Sequence, residues 1–169
     1  MLRSPSTVQI RAARPSDAQH LAVVFKDSWT LAYTGILPHD TLAQIVAKRE
    51  ATWWAAALKA SEPILAMEVG GTMAGYATCG AARARSRAQG EIYELYLDPI
   101  HQGLGFGEHL FEACRNRLDE RGLKGLLVWA LVDNAQACHF YWRRGGRPVG
   151  STTETFGRSR LEKVAFAWP

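Results

Sequence analysis

The sequence contains few cysteines and no spacing that is typical of a disulfide or metal site. Its 169 residues include three widely spaced cysteines and no Cys-x-x-Cys. The five histidines are scattered, and no pair has a spacing suited to a metal ion. We therefore expect neither a disulfide nor a metal site, zinc included, and we expect Cys79, Cys114 and Cys138 to be reduced core residues.

A long apolar run is also missing. No stretch approaches the roughly 18 consecutive apolar residues that a membrane-spanning helix needs. Residues 1–14 lack the apolar segment of a secretory signal. These features predict a cytoplasmic protein that does not act at a membrane.

The sequence has no dense basic tract, although its net charge is +4. Lysine and arginine are dispersed and are not interleaved with aromatic residues, which disfavours nucleic acid as a partner. The nearest approach to a basic cluster is Arg83, Arg85 and Arg87, three alternate residues in one predicted loop. A solvated loop and a contact to a phosphate both remain open for them.

What the sequence does contain is a globular composition and a succession of strand and helix patterns. It is 47% hydrophobic and 21% charged, without repeats or linkers, so we expect a single domain over residues 1–169. A capping-box pattern predicts a helix from Ser16, and further helices are predicted at 40–60, after the glycines near 105, and at 134–143. Strands are predicted at 7–12, 64–69, 72–79, 91–97 and 126–132, with two late strands near 147–149 and 161–167. The strand, helix and strand across 91–132 predict a parallel pair with a right-handed crossover.

A glycine-rich stretch between a strand and a helix is the strongest functional signal. Gln102-Gly103-Leu104-Gly105-Phe106-Gly107 leaves the backbone free to turn tightly, and the amides at a helix start favour an anion such as phosphate. No Gly-Lys-Ser or Gly-Lys-Thr follows, which excludes a nucleotide-triphosphate loop. The glycine spacing and its late position disfavour a dinucleotide site, although Asp133 ends the next strand, where a ribose-binding acid could lie.

Two motifs in this order resemble the GNAT superfamily of acetyl-CoA-dependent N-acetyltransferases. Gln102, Gly105 and Gly107 match the family's Arg/Gln-x-x-Gly-x-Gly/Ala signature. About 27 residues further on, residues 134–141 match the family's Asn-x-x-Ala-x-x-Phe-Tyr pattern, from Asn134 to Tyr141. The resemblance implies an α/β (α+β) acyl-CoA N-acyltransferase fold. Its sheet is mixed and mostly antiparallel, with six to seven strands, a splayed parallel central pair and flanking helices.

The resemblance also implies how coenzyme A is held. The backbone amides of residues 103–107 would bind its pyrophosphate, with Gln102 shaping the loop. The backbone of Leu95 and Leu97 would pair with the pantetheine arm like an added strand, and Asn134 would bond that arm from the opposite side. The full set of expected cofactor residues is Leu95, Leu97, Gln102, Gly103, Leu104, Gly105, Phe106, Gly107, Asn134 and Tyr141.

Acetyl transfer to an amine requires a base for the amine, a donor for the oxyanion and an acid for the leaving thiolate. Tyr141 suits the acid because it keeps its proton at neutral pH and matches the family's acid position. Glu91 and Glu94 are the candidate bases, and strand alternation predicts that they face opposite sides of the sheet. We favour Glu94, and a path through backbone and water without a dedicated base remains open.

The acceptor is expected to be a primary amine of a small molecule, peptide or protein. Trp29 and Tyr33 lie four residues apart and resemble an aromatic pair of small bacterial family members, so they are candidate substrate-binding residues. Residues 151–160 are polar and are predicted to form a substrate-side loop. Gly145-Gly146-Arg147 departs from the family's usual Gly-Phe. The resemblance implies a possible homodimer, and a non-catalytic acyl-CoA-binding regulator is the alternative function.

Overall fold

Seven strands and five helices make up the part of the chain that the computed structural model describes, residues 7–60 and 62–169. Two 3-10 turns, Pro15–Asp17 and Pro99–His101, accompany them. In chain order, the elements are β1 (Val8–Ala12), α1 (Ala18–Tyr33), α2 (His39–Lys48), α3 (Ala51–Ala57), β2 (Leu65–Val69), β3 (Thr72–Ala81), β4 (Gly90–Leu97), α4 (Phe106–Glu120), β5 (Leu126–Leu131), α5 (Ala135–Arg143), β6 (Arg147–Phe156) and β7 (Ser159–Trp168).

All seven strands belong to one sheet in the order β1-β2-β3-β4-β5-β7-β6. Every neighbouring pair is antiparallel except β4 and β5, which are parallel. The predicted fold class, a mixed and mostly antiparallel sheet with a parallel central pair, is thereby confirmed. No helix within residues 7–60 and 62–169 is long and apolar enough to cross a membrane.

Helices cover both faces of the sheet, and each buries the apolar stripe that its sequence carries. On one face α4 buries Leu110, Phe111 and Cys114 against the strands. On the other face α1 buries Leu21 and Phe25, which pack with Trp54 of α3. Because the sheet is enclosed from both sides at β3 and β4, these strands form the centre of the molecule.

Three predicted elements differ from the structure. The helical stretch at 40–60 is two helices, because Arg49 leaves the helical region (φ −95°, ψ 38°) and Glu50 is extended. The first long helix begins at Ala18 rather than Ser16, because residues 15–17 form a 3-10 turn. The predicted loop at 151–160 is the β6–β7 hairpin, which turns at Gly157 (φ +58°). Almost every β6 side chain is exposed, so no hydrophobic alternation marked this strand.

A charge cluster joins β1, the first 3-10 turn and β2. The Arg11 guanidinium donates to both carboxylate oxygens of Asp17, at 2.7 and 3.0 Å, and to Glu68 at 2.7 Å. Hydrogen bonding from Arg11 holds the pKa of Asp17 below its usual value. The stabilisation is therefore present above the unfolded value of about 3.9 and is lost as the pH falls through the folded value.

Asp17→Asn is expected to lower the free energy of unfolding at pH 7 by about 2–3 kcal/mol, because it removes one partner of a largely buried ion pair. Urea unfolding at pH 7 and pH 3 measures this effect. The difference between wild type and variant should shrink at pH 3, where Asp17 of the unfolded chain is mostly protonated. Asp27→Asn, at an exposed position of α1, is the matched control. An equal loss of unfolding free energy at both pH values would show that the effect does not come from the ionised Asp17 carboxylate.

Candidate active site

A cleft opens where the two parallel central strands separate. β4 and β5 pair only over residues 90–92 and 126–128, although both strands continue beyond this point. The cleft has a volume of about 430 Å³. It runs from the glycine loop before α4, along the free edge of β4, to Ser28 and Ala32 on α1. The predicted splay of the central pair is thus present in the structure.

The glycine loop forms one end of this cleft. Gly103 and Gly105 have φ angles of +74° and +85°, a region that side chains with a Cβ rarely adopt. Gly105 is the N-cap of α4, and within the described chain no side chain caps that helix start. The first-turn amides are therefore available to an anion. Leu104 and Phe106 complete the loop, and the Leu104 side chain points to solvent.

Two contacts fix the position of the loop. The Gln102 side-chain amide donates to the carbonyl oxygen of Leu97 at 3.0 Å, which joins the loop to the end of β4. A Cβ at Gly107 would lie 3.0 Å from the Phe140 ring, so this glycine lets α4 approach α5 closely. Two of the three signature residues, Gln102 and Gly107, therefore act on the geometry around the loop.

The free edge of β4 presents the backbone of Leu95 and Leu97 to the cleft. The Asp98 amide donates to Ala74 of β3 at 2.8 Å. In an antiparallel pair, alternate residues direct their backbone groups to the same neighbour. Residues 94, 96 and 98 therefore face β3, and the backbone groups of Leu95 and Leu97 face the opening. Both residues line the cleft, as the resemblance implied for a strand-like partner of pantetheine.

Helix α5 forms the opposite wall. The Asn134 side-chain oxygen accepts from the Ala137 amide at 3.2 Å, so Asn134 caps α5 as well as lining the cleft. Tyr141 lines the cleft too, and its ring packs against Phe166 and Trp168. Burial raises the pKa of Tyr141, which keeps its hydroxyl protonated.

Sequence reasoning missed several residues of this wall. Arg144 forms an ion pair with Glu108 of α4, which bridges the two sides of the cleft. The remaining missed residues of this wall lie three or four positions apart on α5. That spacing could have identified them, because residues three or four apart share a helix face. The cleft-lining residues on α5 and just after it that were not among the expected cofactor residues are Gln136, Ala137, His139, Phe140, Arg143 and Arg144.

The two candidate bases lie on the same face of the sheet, which corrects the prediction from alternation. The β3–β4 register shifts between Thr78 and Cys79, so that Thr78 faces Glu94 whereas Gly80 faces Glu91. Tyr93 is the extra residue of this bulge. Residues 78 and 80 are two apart on β3 and share a face, and so do their partners. The face is the one opposite α4.

Glu91 is buried away from the cleft. Its carboxylate accepts from the Arg83 guanidinium at 2.8 Å, and the Glu91 side chain is 2% exposed. Arg83 also covers the Tyr93 ring at 4.0 Å. Of the three alternate arginines, Arg83 therefore neutralises a buried carboxylate, and Glu91 is not among the residues that line the cleft.

Glu94 does not line the cleft either, but it is the neighbour of Leu95, which does, and its side chain is more accessible than that of Glu91. Its carboxylate accepts from the Tyr76 hydroxyl at 3.2 Å and the Thr78 hydroxyl at 3.4 Å, and it pairs with Arg49 at 3.1 Å. The Glu94 side chain is 19% exposed. Burial raises the pKa of Tyr76, so the Tyr76 hydroxyl is a donor to the carboxylate.

Trp29 and Tyr33 project from one side of α1, as predicted, with ring centroids 4.5 Å apart. Their neighbours on that helix, Ser28 and Ala32, line the cleft instead. The Tyr33 and Tyr96 hydroxyls are 2.9 Å apart, and Tyr96 does line the cleft. Trp29 and Tyr33 therefore pack behind the cleft wall in this structure.

Comparisons with known proteins agree with this geometry. A model of the Acetyltransferase (GNAT) family matches residues 24–146. The uncharacterized N-acetyltransferase YuaI of Bacillus subtilis (strain 168) is 29% identical over 164 residues, which cover 96% of this chain and 93% of that protein.

Two solved structures share the fold. The PaiA N-acetyltransferase of Thermoplasma acidophilum, in complex with coenzyme A, matches with a TM-score of 0.72 and 18% identity, covering 93% of this chain and 98% of that one. YncA of Salmonella typhimurium, with its cofactor acetyl-CoA, matches with a TM-score of 0.64 and 21% identity, covering 95% and 92%.

Proposed function

Because the chain belongs to the Acetyltransferase (GNAT) family of acyltransferases, we propose that it transfers the acetyl group of acetyl-CoA to a primary amine by direct attack. The observation that carries this proposal is the cleft between β4 and β5, which begins at an uncapped helix start and passes a free strand edge. An anionic, extended thioester is the kind of ligand that these two features fit together.

In this proposal, the amides of residues 103–107 bind the pyrophosphate and the α4 dipole favours its negative charge. The outward backbone groups of Leu95 and Leu97 pair with the pantetheine arm. Asn134 contributes its side-chain amide group from the other wall. The Leu97 carbonyl oxygen already accepts a hydrogen bond from Gln102, so the Leu97 amide is more available than this oxygen to pair with the pantetheine arm.

The chemical step forms one bond and breaks another. The amine nitrogen attacks the thioester carbonyl carbon, the carbon–sulfur bond breaks, and the thiolate takes the proton of the Tyr141 hydroxyl. The proton that the amine loses passes to Glu94, directly or through a water molecule. Glu94 then releases its proton to solvent and Tyr141 regains one from solvent, which restores both groups. The raised pKa of Tyr141 keeps the donor protonated until the thiolate forms.

Two matched variants test the choice of base. Glu94→Gln is expected to lower turnover per folded molecule about 100-fold, because the amide cannot accept the proton, and also to lower the unfolding free energy, because Arg49 loses its charge partner. Glu91→Gln is expected to lower the unfolding free energy, because Arg83 loses its buried charge partner, while turnover per folded molecule changes little. Steady-state kinetics and urea unfolding of both variants measure this. Wild-type turnover in Glu94→Gln would remove Glu94 from the mechanism.

The proposal as a whole is tested by calorimetric titration with acetyl-CoA, with NADH as the control ligand, followed by an assay of thiol release with a panel of amines. Micromolar binding of acetyl-CoA and amine-dependent release of CoA are expected. Tight binding without turnover of any amine would favour the non-catalytic acyl-CoA regulator. Binding of NADH but not acetyl-CoA would instead support a dinucleotide site at the glycine loop.

A further inference from the structure

Arg49 occupies an aromatic cage beside the candidate base. Its guanidinium carbon lies 3.9 Å from the centroid of Trp53 and 4.7 Å from that of Phe25. The break between α2 and α3 falls at this residue and directs it toward β4. A guanidinium stacked on aromatic rings is held in place with its N–H edges free for planar acceptors.

The ion pair of Arg49 with Glu94 uses only part of that hydrogen-bonding capacity. The Nη1 atom is 3.1 Å from one Glu94 oxygen and 3.5 Å from the other, and no other hydrogen bond of the guanidinium is found within the described chain. The Arg49 and Glu94 side chains are 24% and 19% exposed. Both charges therefore reach solvent, next to the strand edge that lines the cleft.

A pocket of about 180 Å³ adjoins this ion pair. Trp53, Trp54, Ala57 and Tyr93 contribute to its lining, and Glu94 lies at its border. Its walls are mainly apolar, and Glu62, the other acid there, pairs with Arg121. The pocket suits an apolar side chain that extends away from the two charges.

We infer that the acceptor is an amino acid with an apolar side chain, whose carboxylate binds Arg49 and whose amine binds Glu94. This inference rests on the proposed acetyl transfer. An α-amino acid separates its amine nitrogen and carboxyl carbon by about 2.5 Å, so a zwitterion can lie along the Arg49–Glu94 pair with opposite charges facing. Arginine binds carboxylates through two parallel hydrogen bonds, which the free edge of Arg49 permits.

Binding of such an acceptor also releases the base. While Arg49 pairs with Glu94, the guanidinium engages the carboxylate that must accept the amine proton. An incoming carboxylate competes for the guanidinium and leaves Glu94 to the amine. An amine without a carboxylate cannot make this exchange, and it should therefore be a poorer substrate.

The test compares two acceptors that differ only in the carboxylate, L-phenylalanine and phenethylamine. The wild type is expected to have at least a 30-fold higher kcat/KM for phenylalanine. Arg49→Met keeps an unbranched apolar stem but removes the charged guanidinium that lies over Trp53. It should lower kcat/KM for phenylalanine at least 10-fold, mainly through KM, and leave the value for phenethylamine unchanged or higher, because Arg49 no longer engages Glu94. Arg85→Met, at an exposed position of the β3–β4 loop, should change neither value.

The outcomes separate the two proposals. Equal wild-type kcat/KM values for the two acceptors, or an equal loss of both in Arg49→Met, would overturn the assignment of Arg49 while leaving acetyl transfer intact. Failure to release CoA with any amine would overturn acetyl transfer itself, and the acceptor inference with it. If Arg49→Met does not fold, the wild-type comparison decides alone.

Discussion

Replacing Tyr141 with phenylalanine is expected to lower kcat by about 100- to 1,000-fold and to leave the Kd for acetyl-CoA within about threefold. General acid catalysis contributes about this much to a proton-transfer step. The ring makes the packing contacts with Phe166 and Trp168, and phenylalanine keeps the ring. Steady-state kinetics and calorimetry on the same preparation separate the two quantities.

Tyr93→Phe is the matched control for this experiment. It also removes one tyrosine hydroxyl, on β4, but that hydroxyl donates to the Ala81 carbonyl, and phenylalanine keeps the ring that contributes to the smaller pocket. Turnover should change by less than threefold. If Tyr141→Phe turns over at the wild-type rate, Tyr141 is not the acid and is a packing residue.

The glycine-loop end of the cleft could be predicted from the sequence because the features that form it are local. A glycine loop, the strand before it and the helix after it are consecutive in the chain, and each leaves its own pattern. The structure adds the tertiary contacts of two signature residues, which the sequence pattern does not show. Gln102 acts through a hydrogen bond to Leu97, and Gly107 acts through the space that it leaves for Phe140.

The sheet face of Glu91 and Glu94 could not be predicted from the sequence because alternation assumes an unbroken ladder. One extra residue, Tyr93, reverses the sides of every residue after it, so Glu91 and Glu94 share a face. A bulge depends on the partner strand and leaves no reliable signature in its own strand. The partners that distinguish the two carboxylates, Arg83 and Arg49, follow from tertiary packing as well.

The region around Trp29, Tyr33 and Arg49 was predicted least well, for a related reason. The helical pattern at 40–60 continues across Arg49, so the break that directs this residue to Glu94 is not visible in periodicity. Trp29 and Tyr33 carried a recognisable spacing but pack behind the wall. The arrangement of side chains in this region depends on how α1, α3 and β4 meet, which no single segment encodes.

Gly105→Val is expected to raise the Kd for acetyl-CoA at least 100-fold while the domain stays folded. A Cβ at this position would meet no atom within 4 Å, so the effect is conformational rather than steric. Gly105 has φ +85°, and a β-branched residue held there costs about 1–3 kcal/mol. The loop relieves this strain by rotating the amides that would bind the pyrophosphate.

Gly122→Val provides a control on the same helix. Gly122 follows the other end of α4, has φ +70°, and likewise has no atom within 4 Å of an added Cβ. Both variants should therefore lose a similar amount of unfolding free energy, but only Gly105→Val should lose cofactor affinity. Calorimetry with acetyl-CoA and urea unfolding measure the two effects. Equal acetyl-CoA affinities in the two variants would place the pyrophosphate away from this loop. Strain at position 105 would then affect binding no more than strain at position 122.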